Sequence, residues 1–497
     1  ATVYEKGAEL VRMQANLLGP AAFRRATDLY FERHDGEAVT TEDFVRCMEE
    51  AGNRDLTVFR RWYSQAGTPE LTVTGAYDPA ARTYGLTVSQ ETPPTPGRPR
   101  KWPLHVPLAL GLLDETGADL PVRLLGEEAT PAAGTRMLEL VEAQQTFVFT
   151  GLENRPLPSL LRGFSAPVKV RFDYSDEELM FLMAHDSDGF TRWDAAQNLA
   201  LRILLALVED QDAPVPGGFL DAVRHTLNDS YADEALTAEI LALPSESYLG
   251  DQMDVVDVEG IHRAREALIE RIGDALRDDL LSVYQESREK GAYEINPAAV
   301  GRRALKNLCL GYLVQNGDRE ALDLCRAQFD ARHNMTDVMA SLRLLVDAGG
   351  AMGQNALDAF YERWQKDQLV LDKWFAVQAT SKRADTLKQV QRLLKHTRYS
   401  ITNPNRVRSL VGAFCMANQA RFHASDGGGY QFLRERVMEL DPVNPQIASR
   451  LLQGLVRWRR FDPHRQALMR AELERILNVE ALSKDVYEVA SKGISES

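Results

Sequence analysis

Nine histidines and four cysteines are the first places to look for chemistry in this 497-residue chain, because imidazole and thiolate can ligate metals, move protons or attack carbonyls. Their spacing supports none of these roles. His34, His105, His185, His225, His262, His333, His396, His423 and His464 include no pair four residues apart, and none opens an H-E-x-x-H motif, so the chain by itself carries no zincin-type helix. Cys47, Cys309, Cys325 and Cys415 are far apart and form no C-x-x-C pair. Each sits among apolar neighbours at helix-like spacing, which predicts buried free thiols in a reducing cytoplasm rather than disulfides or metal ligands. The patterns G-x-x-x-x-G-K-[ST], G-x-S-x-G and G-x-G-x-x-G are absent, which leaves ATP hydrolysis, serine esterase chemistry and dinucleotide binding without support. Gly427-Gly428-Gly429 reads as a flexible turn. On residue type alone, Tyr4 at the start of a helical pattern reads as an amphipathic core aromatic.

The elements that must position such residues follow from periodicity. Tyr4, Ala8, Val11, Ala15 and Leu18 recur at steps of three and four, which predicts one face of a first helix ended by Gly19-Pro20. Thr40 and Asp43 have capping-box spacing ahead of an apolar stripe of Phe44, Cys47, Met48 and Ala51. At Gly67-Thr68-Pro69 the period becomes two: Leu71/Val73, Tyr84/Leu86/Val88, Leu104/Val106/Leu108/Leu110, Leu138/Leu140, Phe147/Phe149 and Val168/Val170/Phe172 alternate with polar or small residues. About seven short strands in roughly a hundred residues predict a small β-sandwich, with the proline-rich stretch 92–107 as a stiff connection. Ser175 and Glu178 form a second capping box, after which strand patterning ends. Helical segments then follow one another, punctuated by Pro297, Gly349-Gly350, Asn403-Pro404 and Asn444-Pro445, which argues for an α-solenoid or curved helical bowl of degenerate repeats. The expected division is 1–66 helical, 67–173 β-sandwich and 174–497 all-α.

With 44% hydrophobic and 26% charged residues, a chain of this length can fill several cores. Its net charge of −14 repels phosphate backbones, so nucleic acid is not an expected partner. Apolar runs such as Leu201–Val208 are too short to span a bilayer, so no membrane is expected either. The N-terminus starts at Ala1 without Met and without the basic and apolar regions of a signal peptide, and the expectation is that it lies inside a longer polypeptide.

Six blocks carry a family resemblance: Thr2-Val3-Tyr4-Glu5-Lys6-Gly7-Ala8-Glu9, Tyr30-Phe31-Glu32-Arg33-His34-Asp35-Gly36, Arg61-Trp62-Tyr63-Ser64-Gln65-Ala66-Gly67-Thr68-Pro69, Gly163-Phe164-Ser165-Ala166-Pro167-Val168, Asn403-Pro404-Asn405-Arg406 and His423-Ala424-Ser425-Asp426-Gly427. In this order they resemble the bacterial aminopeptidase N branch of the M1 zinc metallopeptidases. The resemblance implies the tail of a thermolysin-like catalytic domain, then an immunoglobulin-like sandwich, then a large HEAT/ARM-like superhelical domain. It also implies removal of N-terminal residues from peptides, zinc in the complete enzyme, cytoplasmic localisation and a monomeric complete protein. The zinc ligands, the general base and the amine-binding Gly-x-Met-Glu-Asn strand of that family precede the first block, so this chain is expected to be inactive alone. Gly350-Ala351-Met352-Gly353-Gln354-Asn355 echoes that strand superficially, but it lacks the glutamate and its context is helical, so it reads as a helix junction.

By the same resemblance Tyr4 matches the tyrosine that stabilises the transition state. A phenol O–H placed where negative charge grows on an attacked carbonyl can donate a hydrogen bond to it. The helical domain of the family encloses a chamber, and Arg406 and Arg408 after Asn403-Pro404, with Gln446 and Arg450 after Asn444-Pro445, are placed to hold a peptide's C-terminal side through charge-assisted hydrogen bonds. The alternative that composition and architecture leave open is a non-enzymatic scaffold, a β-sandwich joined to an α-solenoid that binds peptide or protein.

Overall fold

A computed structural model describes residues 2–128, 134–229, 233–289, 291–315 and 317–495. The chain divides into two compact units, Ala1–Leu199 and Ala200–Ser497.

The first unit opens with four helices, α1 (Gly7–Leu18), α2 (Pro20–His34), α3 (Thr41–Gly52) and α4 (Arg61–Ser64). Gly19, at a φ of 78°, makes the turn between α1 and α2, and Pro20 occupies the first turn of α2, where a missing N–H costs nothing. At the start of α3 the Asp43 carboxylate accepts from the Thr40 backbone N–H and hydroxyl. The periodic stripe expected on α1 is corrected here: the buried side is Leu10, Met13, Gln14 and Leu17, while Tyr4, Ala8 and Val11 are exposed. Both sides of α1 carry apolar residues, and the Leu10 side is the one that packs into the core shared with the strands.

The strands are β1 (Glu70–Asp78), β2 (Thr83–Glu91), β3 (Val106–Leu113), β4 (Arg123–Leu124), β5 (Arg136–Leu140), β6 (Gln144–Thr150), β7 (Leu157–Leu160) and β8 (Lys169–Arg171). They form sheets of order β4-β6-β2-β1-β8 and β5-β3-β7. The count of eight exceeds the expected seven because β4 is only two residues long and β7 contains Pro158, which is tolerated at the edge of its sheet. Alternation fails in β3, where every residue is buried: it is the centre of its sheet and packs against α1 as well. One continuous core joins α1, α3 and α4 to both sheets. After β8, the Ser175–Glu178 capping box starts α5 (Asp176–His185), and the boundary between the units falls inside α6 (Gly189–Glu209).

The second unit is helical throughout its described residues. Its helix starts explain the Asn/Asp-Pro punctuation of the sequence. Asn296, Asn403, Asn444 and Asp462 each accept a backbone N–H of the first turn, and Pro297, Pro404, Pro445 and Pro463 follow them. Consecutive helices pack on each other, as Arg319–Ala331 does on Met335–Ala348 and the latter on Gly350–Trp364. The last pair meets at the Gly349-Gly350 turn, so Gly350–Asn355 is a helix junction. Gly353 permits the close approach, since a Cβ there would lie 2.5 Å from the Leu345 carbonyl oxygen. All four cysteines are free and buried, and burial pushes the Cys309 and Cys325 thiols up to about 12.

Candidate functional site

Tyr4 lies in a wide π-helical turn, Thr2–Lys6, that leads into α1. Its side chain is 82% exposed and that of Val3 79%. The next residue but one fixes this turn: Lys6 Nζ donates to the Gly67 carbonyl at 2.9 Å and lies 5.6 Å from the centre of the Trp62 ring, and partial burial lowers its pKa. One turn along α1, the Arg12 guanidinium donates to the Gly163 carbonyl at 2.5 Å and to that of Phe164, and sits over the Phe164 ring. Asn16 donates to the Ser165 carbonyl.

The receiving loop is built for this contact. Leu161, Gly163 and Phe164 all have positive φ, which turns successive carbonyls outward, and the Ser165 hydroxyl oxygen accepts from the Ala109 N–H of β3 at 2.9 Å. On the other side, Trp62 Nε1–H donates to the His105 carbonyl at 2.8 Å, and the Gln65 amide both donates to and accepts from Trp102. Three sequence blocks distant in the chain therefore interlock, and their product is a rigid ledge from which Tyr4 projects. Lys6, Arg12 and Trp62 are the residues that sequence reasoning passed over. The only signal for them was that they fall inside the quoted blocks or one turn beyond.

Arg408, Gln446 and Arg450 belong to the second unit, and all three are exposed. Arg408 begins a π-helical stretch, Arg408–Gly412, and its Nη1 donates to Asn405 Oδ1 at 3.2 Å. Gln446 and Arg450 lie one turn apart on the helix Pro445–Leu451. The two elements adjoin, because a Cβ on Gly412 would lie 3.8 Å from the Leu451 side chain. Arg406 is different and corrects the expectation for it: it is 1% exposed, ion-paired to Asp372, bonded to Gln368 Oε1 at 2.5 Å and laid over the Phe375 ring. It fastens Pro404–Val407 to the helix Gln368–Ala379. His423 is likewise internal, stacked 4.2 Å from Phe461 with Nδ1 at 3.0 Å from the Tyr430 hydroxyl, and burial beside Arg465 pushes its pKa down to about 3.

Among the described residues no three His, Cys, Asp or Glu side chains are grouped so as to hold a metal ion, so these residues do not fit a zinc site. No helix among them is long and apolar enough to cross a membrane.

Three family models match in succession: the peptidase family M1 domain over residues 1–63, a domain of unknown function with an Ig-like fold (DUF3458) over 67–173, and a domain of unknown function made of ARM repeats (DUF3458_C) over 176–495. Aminopeptidase N of Escherichia coli (strain K12) is 43% identical over 498 residues, covering 99% of this chain and 57% of that protein. Aminopeptidase N of Haemophilus influenzae is 40% identical over 497 residues, covering 99% of this chain and 56% of that protein. The solved structure of Legionella pneumophila aminopeptidase A in complex with aspartic acid superposes with a TM-score of 0.87 at 29% identity, covering 100% of this chain and 57% of that one. The chain thus spans little more than half the length of the relatives it matches. An Ig-like sandwich followed by ARM-repeat helices is the fold class anticipated from periodicity and resemblance. With its helical part matched almost end to end and its whole length aligned to bacterial aminopeptidase N, the chain belongs to the M1 aminopeptidase N family, as a C-terminal portion of it.

Proposed function

We propose that this chain is part of a metal-dependent aminopeptidase that releases N-terminal residues from peptides, in which Tyr4 steadies the oxyanion and the ARM-repeat helices control access. The observation that carries this reading is the match, in order and without large gaps, to an M1 peptidase segment, an Ig-like domain and ARM repeats, joined to the ledge that holds Tyr4 out from the sandwich. We place the domain boundaries at 1–66, 67–173 and 174–497. Zinc and the general base belong, on this reading, to residues that the chain does not contain. What the chain contributes is a phenol donor and, from Arg408, Gln446 and Arg450, hydrogen bonds to the peptide's C-terminal side. The complete protein is read as a cytoplasmic monomer acting on peptides and not on nucleic acid.

The test is made on the complete protein. Tyr4→Phe keeps the ring and removes the O–H, and a lost oxyanion donor lowers kcat by about 10²- to 10³-fold with little change in KM. Arg408→Ala and Arg450→Ala instead raise KM for tri- and tetrapeptides. A Tyr4→Phe enzyme with wild-type kcat removes Tyr4 from the mechanism. The chain alone tests whether the site is completed elsewhere: stoichiometric zinc and hydrolysis of aminoacyl-p-nitroanilides by these residues by themselves contradict that reading, and an H-E-x-x-H motif encoded upstream of Ala1 separates the peptidase reading from the scaffold one.

A further inference from the structure

The second unit contains a cavity of about 220 Å³ among the helices Arg277–Glu286, Pro297–Val314, Arg319–Ala331 and Met335–Ala348. Its floor is charged. Lys306 and Asp337 line it with side chains only 5% and 3% exposed, and Lys306 Nζ donates to Asp337 Oδ2 at 2.6 Å. The Asp337 carboxylate has donors on both oxygens, because Asn334 Nδ2 also donates to Oδ2 at 2.9 Å and Asn307 Nδ2 to Oδ1 at 3.0 Å. Lys306 is not. An ammonium has three N–H donors, Asp337 takes one, and the other two have no acceptor among the described residues. Buried donors left unmet are costly, and here they belong to a side chain that lines a cavity.

The surrounding charge has the same sense. Glu289, which also lines the cavity, is ion-paired to Arg303 and accepts from Asn334 Nδ2 at 3.1 Å. Arg288 stands exposed at the rim, with no acidic partner among the described residues. With Glu289 taken by Arg303 and Asp337 by Lys306, Arg288 is left as an unpaired positive charge at the cavity, in a chain whose net charge is −14. The remaining lining combines an apolar strip of Leu324, Ala327 and Ala331 with Tyr284, Gln328 and His333. The volume admits a ligand of about seven heavy atoms, judged against about 30 Å³ for one water.

We propose that this cavity binds a small monocarboxylate with a short aliphatic tail. The carboxylate takes hydrogen bonds from Lys306 Nζ and Arg288, and the tail lies on Leu324 and Ala327. The proposal is independent of the peptidase reading, since it concerns none of Tyr4, Arg408, Gln446 and Arg450.

Isothermal titration of this chain with isovalerate tests it, with isovaleramide as the uncharged isostere. Isovalerate is expected to bind with a millimolar Kd, as befits so few atoms, and isovaleramide at least about tenfold more weakly. Arg288→Ala, a surface change, is expected to weaken isovalerate about tenfold, and Lys306→Gln to remove binding. Should Lys306→Gln fail to fold because Asp337 loses its partner, Arg288→Ala decides. Absence of saturable binding by isovalerate, equal affinity for acid and amide, or an unchanged Kd in Arg288→Ala overturns the proposal. Competition by N-acetyl-alanyl-leucine separates the two natural sources of such a group. Displacement of isovalerate assigns the site to peptide C-termini as well as free acids, and no displacement assigns it to free small acids.

Discussion

Arg162 shows how much one side chain can organise in this molecule. Its side chain is 1% exposed, and Nη2 donates to Asp119 Oδ1 at 2.7 Å and to Asp186 Oδ1 at 2.9 Å, while Nε donates to Ser159 Oγ. The buried Asp186 and the partly buried Asp119 share one guanidinium, so Arg162→Met is expected to cost about 3–5 kcal/mol in urea unfolding, as for a buried pair that loses one partner. Gly111→Ala acts on the same group from the other side, because a Cβ there would lie 2.1 Å from the guanidinium carbon. His423 gives a pH signature. Its folded pKa, about 3, lies below the ordinary value near 6.5, so the unfolded chain binds the extra proton between those limits. Stability is therefore retained above pH 6.5 and falls as pH drops toward 3, by up to about 1.4 kcal/mol per pH unit from this residue. A flatter acid limb of Tm against pH in His423→Phe is the expected result. Such roles were hardly legible in the sequence. Tyr4 could be singled out because the block around it is distinctive, but Arg406 and His423 sit in equally distinctive blocks and are structural. Their partners, Asp372 and Phe461, lie more than thirty residues away.

At the scale of elements, the local signals in the sequence worked where the cause is local and failed where it is tertiary. Capping boxes at Thr40 and Ser175 and the Asn-Pro pairs mark real helix starts, because a short polar side chain satisfying a first-turn N–H needs nothing from the rest of the fold. The buried side of α1 was misread, because apolar residues on both sides of a helix leave the choice to whatever packs against it, here the strands. The alternation expected in β3 gave way for the same reason. The Arg12 contact then decides how firmly α1 is seated. Arg12→Ala removes two carbonyl contacts of a partly exposed guanidinium, worth on the order of 1 kcal/mol after allowance for solvent. Amide exchange is expected to quicken across Gly7–Leu18 while β1, β2 and β3 keep their protection. Equal loss of protection in the strands would show instead that α1 and the sandwich open as one unit.

For the whole molecule, the exposed side of α1 is the feature that calls for a partner. Val3 and Tyr4 in the π-helical turn and Val11 on α1 are all exposed, along the segment that carries the proposed catalytic phenol. The M1 peptidase model matches only residues 1–63, and the chain covers 57% of its Escherichia coli relative. On the peptidase reading, the remainder of the catalytic domain covers this side and brings its own groups to Tyr4. The consequence for the isolated chain is measurable. A charge of −14 opposes association in general, but an apolar strip held out on a rigid ledge offers a contact that long-range repulsion only weakens, and the more so as salt screens it. Sedimentation velocity of this chain should therefore show self-association that grows with ionic strength and is largely suppressed by Val11→Lys, a change at a position that makes no core contact here. The same substitution in the complete protein should do the opposite of helping: with Val11 covered, a lysine there loses water, and both Tm and kcat fall. If Val11→Lys leaves the complete protein unchanged in both, that side of α1 stays in solvent, and Tyr4 has no catalytic domain packed around it.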